Sequence, residues 1–191
     1  MPNLFIIGGC NGAGKTTAYP DIIEQRYNCK NFVNADIIAK QMSDSDPDSM
    51  AISAGKEFFS RIDNLVNEKV DFAFETTLSS RTLVNIIKKC RDLGYKIHLV
   101  FFWLNSYKTA INRVNSRVKE GGHSIPADVI ERRYYRGIKN LIEIYIPICD
   151  NWMVLDHTLL KSELVCEGKA DVEIIIYSQE KWQKINYISN V

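Results

Sequence analysis

Short apolar runs recur along the chain, and stretches with helical spacing of apolar residues fill the gaps between them. Leu4-Phe5-Ile6-Ile7 is unbroken, as in a strand buried on both faces. Asn31-Phe32-Val33-Asn34 reads as a short second strand that hands over through Ala35-Asp36 to a helix from Ile37 to Met42. Val70-Asp71-Phe72-Ala73-Phe74-Glu75 predicts a third strand, ending in a carboxylate. Lys96 to Leu104 is the strongest strand, and Trp152-Met153-Val154-Leu155 makes a fifth that closes at Asp156.

The helical segments alternate with these strands. Thr16 to Tyr27 should be helix, with Pro20 tolerated near its first turn. Between Asp48 and Lys69 the apolar stripe is Ile52, Phe58, Phe59, Ile62, Leu65 and Val66. Ser80 can cap a helix with Leu83, Ile86, Ile87, Cys90 and Leu93 inward, and Gly94 stops it. Ser106 to Lys119 is helical, and Pro126 opens a helix that carries Ile130, Ile138, Leu141 and Tyr145 on its apolar side. Ser43 to Pro47 and Gly121-Gly122-His123 are breaks. Leu164-Val165-Cys166 and Val172 to Tyr177, across a Glu-Gly-Lys turn, suggest a terminal hairpin or edge strands at about 162–178. Without a linker or repeat, residues 1–191 read as one α/β domain. A parallel five-stranded core sheet with helices on both faces is expected, with ligands at the carboxyl ends of its strands.

Gly9-Cys10-Asn11-Gly12-Ala13-Gly14-Lys15-Thr16 sits between the first strand and the first helix and fits G-x-x-x-x-G-K-[ST]. Glycines at 9, 12 and 14 let successive N–H groups turn inward around phosphate oxygens. The helix that starts near Gly14 adds unpaired N–H groups and its positive dipole end. Gly9, Asn11, Gly12, Ala13, Gly14, Lys15, Thr16 and Thr17 are therefore the expected nucleotide-binding residues of a P-loop NTPase fold. Lys15 should reach the β- and γ-phosphates of ATP or GTP, and the Thr16 hydroxyl should ligate Mg²⁺.

Composition sets bounds on partners. The net charge of +1 exerts no global pull toward nucleic acid or membrane, although basic residues cluster between Arg113 and Lys139. Five cysteines without C-x-x-C spacing argue against a disulfide framework or zinc site and for a reducing compartment. The N-terminal residues do not resemble a signal peptide, and no apolar run approaches a membrane span, so a cytoplasmic location is expected.

Three groups could carry chemistry beside the phosphate loop. Asp36 ends the second strand, where a carboxylate could take the proton of an attacking hydroxyl; the alternative is a helix N-cap. Glu75 could hold a Mg²⁺-bound water or a substrate hydroxyl, with Thr76 and Thr77 as donors; the alternative is a solvated turn. Arg113, Arg117, Arg132, Arg133 and Arg136 flank the glycine pair at 121–122, so residues 105–140 could close as a lid. Of these, Arg117 and Arg133 are expected to reach the phosphates, the alternatives being a solvated basic face or RNA contact. His98, inside a strand, reads as a satisfied core histidine, and His123 as structural in the lid. For Trp103, Tyr134 and Tyr135 packing is preferred over stacking on a base.

GGCNGAGKTT at 8–17, FVNAD at 32–36, FAFETTLSSR at 72–81, GYKIHLVFFWL at 94–104, RVNSRVKEGGHSIP at 113–126 and VIERRYYRGIKNL at 129–141 together resemble the zeta-toxin family of P-loop kinases, in a short form. The resemblance implies ATP- or GTP-dependent phosphorylation of a small hydroxyl-bearing substrate. In the characterised zeta toxins that substrate is a UDP-activated N-acetyl amino sugar, and a separate antitoxin blocks the nucleotide site. By motif position Asp36 would be the general base, Lys15 the phosphate ligand and Glu75 with Thr77 the substrate-side contacts. Thr76 and Arg81 join that substrate-side segment, and Arg117 and Arg133 would be the catalytic lid arginines. A kinase of another hydroxyl (nucleoside, antibiotic or RNA end) and a non-catalytic nucleotide-gated binding protein are the competing readings.

Overall fold

The first apolar run is the third strand of a seven-stranded sheet and the central one of its five parallel strands. In sheet order the strands are β2 (Phe32–Val33), β3 (Phe72–Thr76), β1 (Asn3–Gly8), β4 (Lys96–Trp103), β5 (Asn151–Asp156), β6 (Glu163–Lys169) and β7 (Ile175–Ile176). The structure is a computed structural model that describes every residue except 44, 45, 47, 48, 123, 160, 171, 172 and 191, with the side chains of 21, 22 and 26 also left undescribed. The expected residues Ser43 to Pro47, His123 and Val172 thus fall wholly or partly outside the described residues. Strands β2, β3, β1, β4 and β5 are parallel, with Ile6 level with Phe74 on one side and Leu99 on the other. Phe5, Phe72, Phe74 and Phe102 are buried, as continuous apolar strands covered on both faces require.

Strand β6 extends this five-stranded parallel core antiparallel to β5, and β7 pairs antiparallel to β6, so it runs in the direction of the core again. Glu167-Gly168-Lys169 lies inside β6 and does not make the expected turn. Gly168 is small for a packing reason, because a Cβ there would lie 2.6 Å from the Trp152 indole. A final helix, α8 (Gln179–Ser189), stacks Trp182 on Trp152 at 6.0 Å between ring centroids. The pattern of apolar positions does not predict it.

The helices between the strands are α1 (Lys15–Tyr19), α2 (Gln25–Tyr27), α3 (Ala35–Met42), α4 (Ala51–Glu68), α5 (Thr82–Asp92), α6 (Tyr107–Lys119) and α7 (Ala127–Asn140). Pro20 changes the first of them more than expected. It has no N–H to donate and its ring crowds the preceding turn, and the backbone widens into a π turn over Pro20–Glu24, where Gln25 N donates to the Pro20 carbonyl. Two members of the predicted apolar stripes are exposed. Ile52 precedes the inward Ala54 by two residues, about 200° around the helix, and Leu93 lies beyond the last turn of α5.

At the amino ends of the strands a polar chain crosses four of them. The Asp71 carboxylate accepts from Asn3 N at 2.7 Å and Asn3 Nδ2 at 3.0 Å. His98 Nε2 meets Asn3 Oδ1 at 3.1 Å, and Asn151 Nδ2 meets His98 Nδ1 at 3.3 Å. His98 is thus the satisfied histidine that the sequence suggested. It also stacks on Phe5. The opposite, carboxyl ends of the parallel strands carry the cleft.

Candidate active site

The phosphate loop is fixed by contacts that only glycine permits. Gly9 has φ 144° and packs so closely on β4 that a Cβ would lie 2.5 Å from the Phe102 carbonyl oxygen. Gly14 caps α1 in the left-handed region without any side-chain cap, leaving the first N–H groups of the helix for a ligand. Beneath the loop the Cys10 thiol is buried. Burial outweighs the pull of Lys15 and pushes the thiol up to about 11, so it stays protonated.

Lys15 is only 5% exposed. Its Nζ donates to the Cys10 carbonyl at 2.9 Å and pairs with Glu75 Oε1 at 3.4 Å. Glu75 Oε2 accepts from Thr16 Oγ1 at 2.6 Å and from Asn34 Nδ2 at 2.8 Å. Asn34 Oδ1 in turn accepts from Asp36 N at 2.8 Å and Ile37 N at 3.2 Å, so Asn34 is the N-cap of α3. Asp36 is therefore not the cap that the sequence allowed as an alternative. It stands in the first turn of α3, on the wall of the cleft.

That cleft measures about 960 Å³. Asn11, Gly12, Gly14, Lys15, Thr16 and Thr17 line its phosphate side. Asn34, Asp36, Ile37, Lys40 and Glu75 face it from α3 and β3, with Ala51 and Ala54 of α4. Arg113, Arg117 and the glycines at 121 and 122 close its rim. Among the described residues no group of three or more His, Cys, Asp or Glu is placed to hold a metal ion. No helix among them is long and apolar enough to cross a membrane.

A phosphate loop after β1, a capped α3 bearing a carboxylate and arginines across the cleft agree with one family model, the zeta toxin, which matches residues 1–145. The chain belongs to the zeta toxin family. A relative from Haemophilus influenzae, described as uncharacterized, is 28% identical over 129 residues, covering 66% of this chain and 88% of its own. Among solved structures, a chain of the AvrRxo1-ORF1:ORF2 complex with ATP is 16% identical with a TM-score of 0.77 over 97% of this chain. This zeta-toxin chain spans 63% of that chain's length. The PezAT chromosomal toxin–antitoxin system of Streptococcus pneumoniae is 16% identical with a TM-score of 0.69, covering 100% of this chain and 85% of its own. These likenesses show the α/β fold of P-loop kinases.

The cleft brings together most of the residues singled out in the sequence. Arg117 lines the rim of the cleft, and Arg133, outside that lining, donates from Nη1 to Asn11 Oδ1 of the phosphate loop at 3.1 Å. Arg81 is exposed at the start of α5 and outside the lining, because the chain turns away from the cleft after β3. Thr76 and Thr77 also lie outside the lining. Thr76 Oγ1 accepts from Leu78 N, and the Thr77 hydroxyl bonds that of Ser79 at 2.8 Å, so both serve the loop itself. That loop is held by α7 and the turn after it. Asn140 Nδ2 donates to the Leu78 carbonyl at 2.7 Å, and the Tyr145 hydroxyl donates to the Ser80 carbonyl at 2.7 Å. Ser80 Oγ accepts from Thr82 N although the cap position falls on Arg81. Trp103 and Tyr134 are buried as packing residues, and the Tyr134 hydroxyl donates to the Leu104 carbonyl.

Two residues gain a place at the loop that the sequence did not assign them. Arg113 reads from the sequence only as one of a basic cluster, yet its Nη1 donates to the Gly12 carbonyl at 3.4 Å and its Nη2 to the Thr158 carbonyl at 3.0 Å. Its spacing from Arg117 is the only signal that the sequence offers. His157 succeeds β5 and lies against Gly14, where a Cβ would come within 2.7 Å of its Nε2, while its Nδ1 meets Ser162 Oγ at 2.6 Å. Nothing in the sequence near His157 marks it.

Proposed function

We propose that this protein transfers the γ-phosphate of ATP or GTP to a hydroxyl of a small substrate. The observation that carries the reading is one bonded set: Lys15 and Thr16 meet on Glu75, and Glu75 is tied through Asn34 to the helix that bears Asp36. A phosphate site and a candidate base are thereby held in one cleft. In the reaction Asp36 accepts the proton of the acceptor hydroxyl, whose oxygen forms a bond to the γ-phosphorus. The bond from that phosphorus to the bridging oxygen breaks, and the nucleoside diphosphate leaves with the electron pair. Lys15, Arg117 and Arg133 neutralise the charge spread over the phosphoryl oxygens. The Thr16 hydroxyl and Glu75 carboxylate are hard oxygen donors of the kind Mg²⁺ takes, and Mg²⁺ bound there with the nucleotide would add charge neutralisation at the phosphates.

We read residues 1–191 as one kinase unit with 105–140 as its lid, acting in the cytoplasm. The PezAT toxin–antitoxin system among the similar solved structures supports a separate antitoxin partner here. A UDP-N-acetyl amino sugar is the first acceptor to test. The experiment is transfer of labelled γ-phosphate into UDP-N-acetylglucosamine, nucleosides, an aminoglycoside and short RNA, each beside Asp36→Asn. The variant should bind ATP as the native protein does and lose transfer by about 10²–10⁴-fold. Full activity of Asp36→Asn on an acceptor that the native protein labels would refute the assignment of the base.

A further inference from the structure

The family match ends at residue 145, and the last part of the chain reaches back to the phosphate loop. Lys181, on α8, lies 2.7 Å from Asp156 Oδ2 and 2.6 Å from Glu163 Oε2. Asp156 is buried at the carboxyl end of β5, and its Oδ1 accepts from both the backbone N, at 2.9 Å, and the hydroxyl of Thr158. The Thr158 hydroxyl also accepts from Asn105 N at 3.0 Å, which ties the turn to the chain leading into α6. The Thr158 carbonyl then accepts from Arg113, and Arg113 donates to the Gly12 carbonyl. Gly12 itself lies so close to α6 that a Cβ would sit 2.8 Å from the Ala110 carbonyl oxygen. The bonds thus form an unbroken chain from α8 to the phosphate loop.

The charges suit a fixed element. Burial alone would raise the Asp156 carboxyl, but the hydrogen bonds from Lys181 and Thr158 outweigh it and hold it below the ordinary carboxylate value. Asp156 therefore stays an acceptor at neutral pH. Its two bonds to Thr158 set the direction of the next carbonyl, to which Arg113 is anchored.

We propose that Lys181 and Asp156 are positioning residues that act through Thr158 and Arg113 to hold the phosphate loop in its binding shape. On the proposed nucleotide-binding function, on which this consequence rests, docking of α8 sets the affinity for ATP. Neither residue touches the cleft; both act at a distance through a bonded chain.

Two measurements on the full chain test this. Hydrogen exchange of the segment 8–18 is followed in the protein without nucleotide, and ATP binding is titrated calorimetrically. The stacked Trp152–Trp182 pair reports α8 docking by near-ultraviolet circular dichroism. Lys181→Met should speed exchange in 8–18 and weaken ATP binding about fivefold. Lys181→Arg should restore both, and Glu163→Gln, which removes only the exposed partner of Lys181, should change neither. Thr158→Val removes the hydroxyl that bonds Asp156 Oδ1 and Asn105 N, so it loosens the same chain away from α8 while the backbone bond to Asp156 stays. It should reproduce the Lys181→Met result with the tryptophan signal intact, which separates positioning from undocking of α8. Native exchange in 8–18 for both Lys181→Met and Thr158→Val would overturn the proposal. If the native protein fails to bind ATP, the nucleotide reading falls, while the exchange measurement still decides whether α8 holds the loop.

Discussion

Replacing Glu75 with glutamine keeps the size of the side chain and an oxygen for Thr16 and Asn34, but removes the charge opposite Lys15. The two side chains are 6% and 11% exposed and their charged atoms lie 3.4 Å apart. At an effective dielectric constant of about 20, that separation gives a gross attraction of about 5 kcal/mol. The substitution leaves Lys15 its bond to the Cys10 carbonyl at 2.9 Å but no opposite charge at Glu75. Since the glutamine retains the hydrogen bonds, the net destabilisation should be about 3 kcal/mol, the lower end for a broken buried pair. In a chain of this size that is a fall in Tm of about 8 °C. The same substitution should strengthen ATP binding when no divalent cation is present. A triphosphate then supplies the negative charge that the variant lacks, and no carboxylate repels it. Binding about tenfold tighter, by about 1.4 kcal/mol, is expected in EDTA. Thermal unfolding with and without ATP in EDTA reads both effects. The reasoning is refuted if Glu75→Gln melts with the native protein, or if ATP stabilises it less than it stabilises the native protein.

Other perturbations test the frame around the cleft. Gly168→Ala drives a methyl into the Trp152 ring, 2.6 Å away, so it should cost about 1–3 kcal/mol and disturb the near-ultraviolet signal of the Trp152–Trp182 pair; an unchanged Tm would contradict the packing. His98 is pushed below its ordinary value of 6.5 by burial and by Lys96, against the opposite pull of Asp150 and Asp71. The unfolded chain therefore takes up a proton on His98 before the folded protein does. Its contribution to stability is present above pH 6.5 and is lost as pH falls from there through the lower folded value. Tm should drop more steeply between about pH 7.5 and 5.5 in the native protein than in His98→Gln, and equal slopes would refute this.

The alternation of apolar runs and helical stripes determined the parallel five-stranded core, because strands covered on both faces must be apolar throughout and their crossovers need helices. The phosphate loop was legible because its glycines and Lys15-Thr16 are contiguous, and their geometry comes from local backbone freedom. Asp36 and Glu75 could be named as strand-end carboxylates. The Asn34 cap is a contact over two and three residues, whereas which carboxylate meets Lys15 depended on the register of β3 and β1, which local pattern does not encode. The same holds at the C-terminal end. Gly168 looked like a turn residue because a glycine is read locally as freedom, whereas here it makes room for an indole from the neighbouring strand. Arg81 and Arg113 could not be ranked for the same reason. Both lie in plausible segments, but the chain carries one away from the cleft and brings the other between Gly12 and Thr158, 101 and 45 residues distant. Contacts over such separations are set by how the sheet and helices pack, so only the tertiary structure decided them.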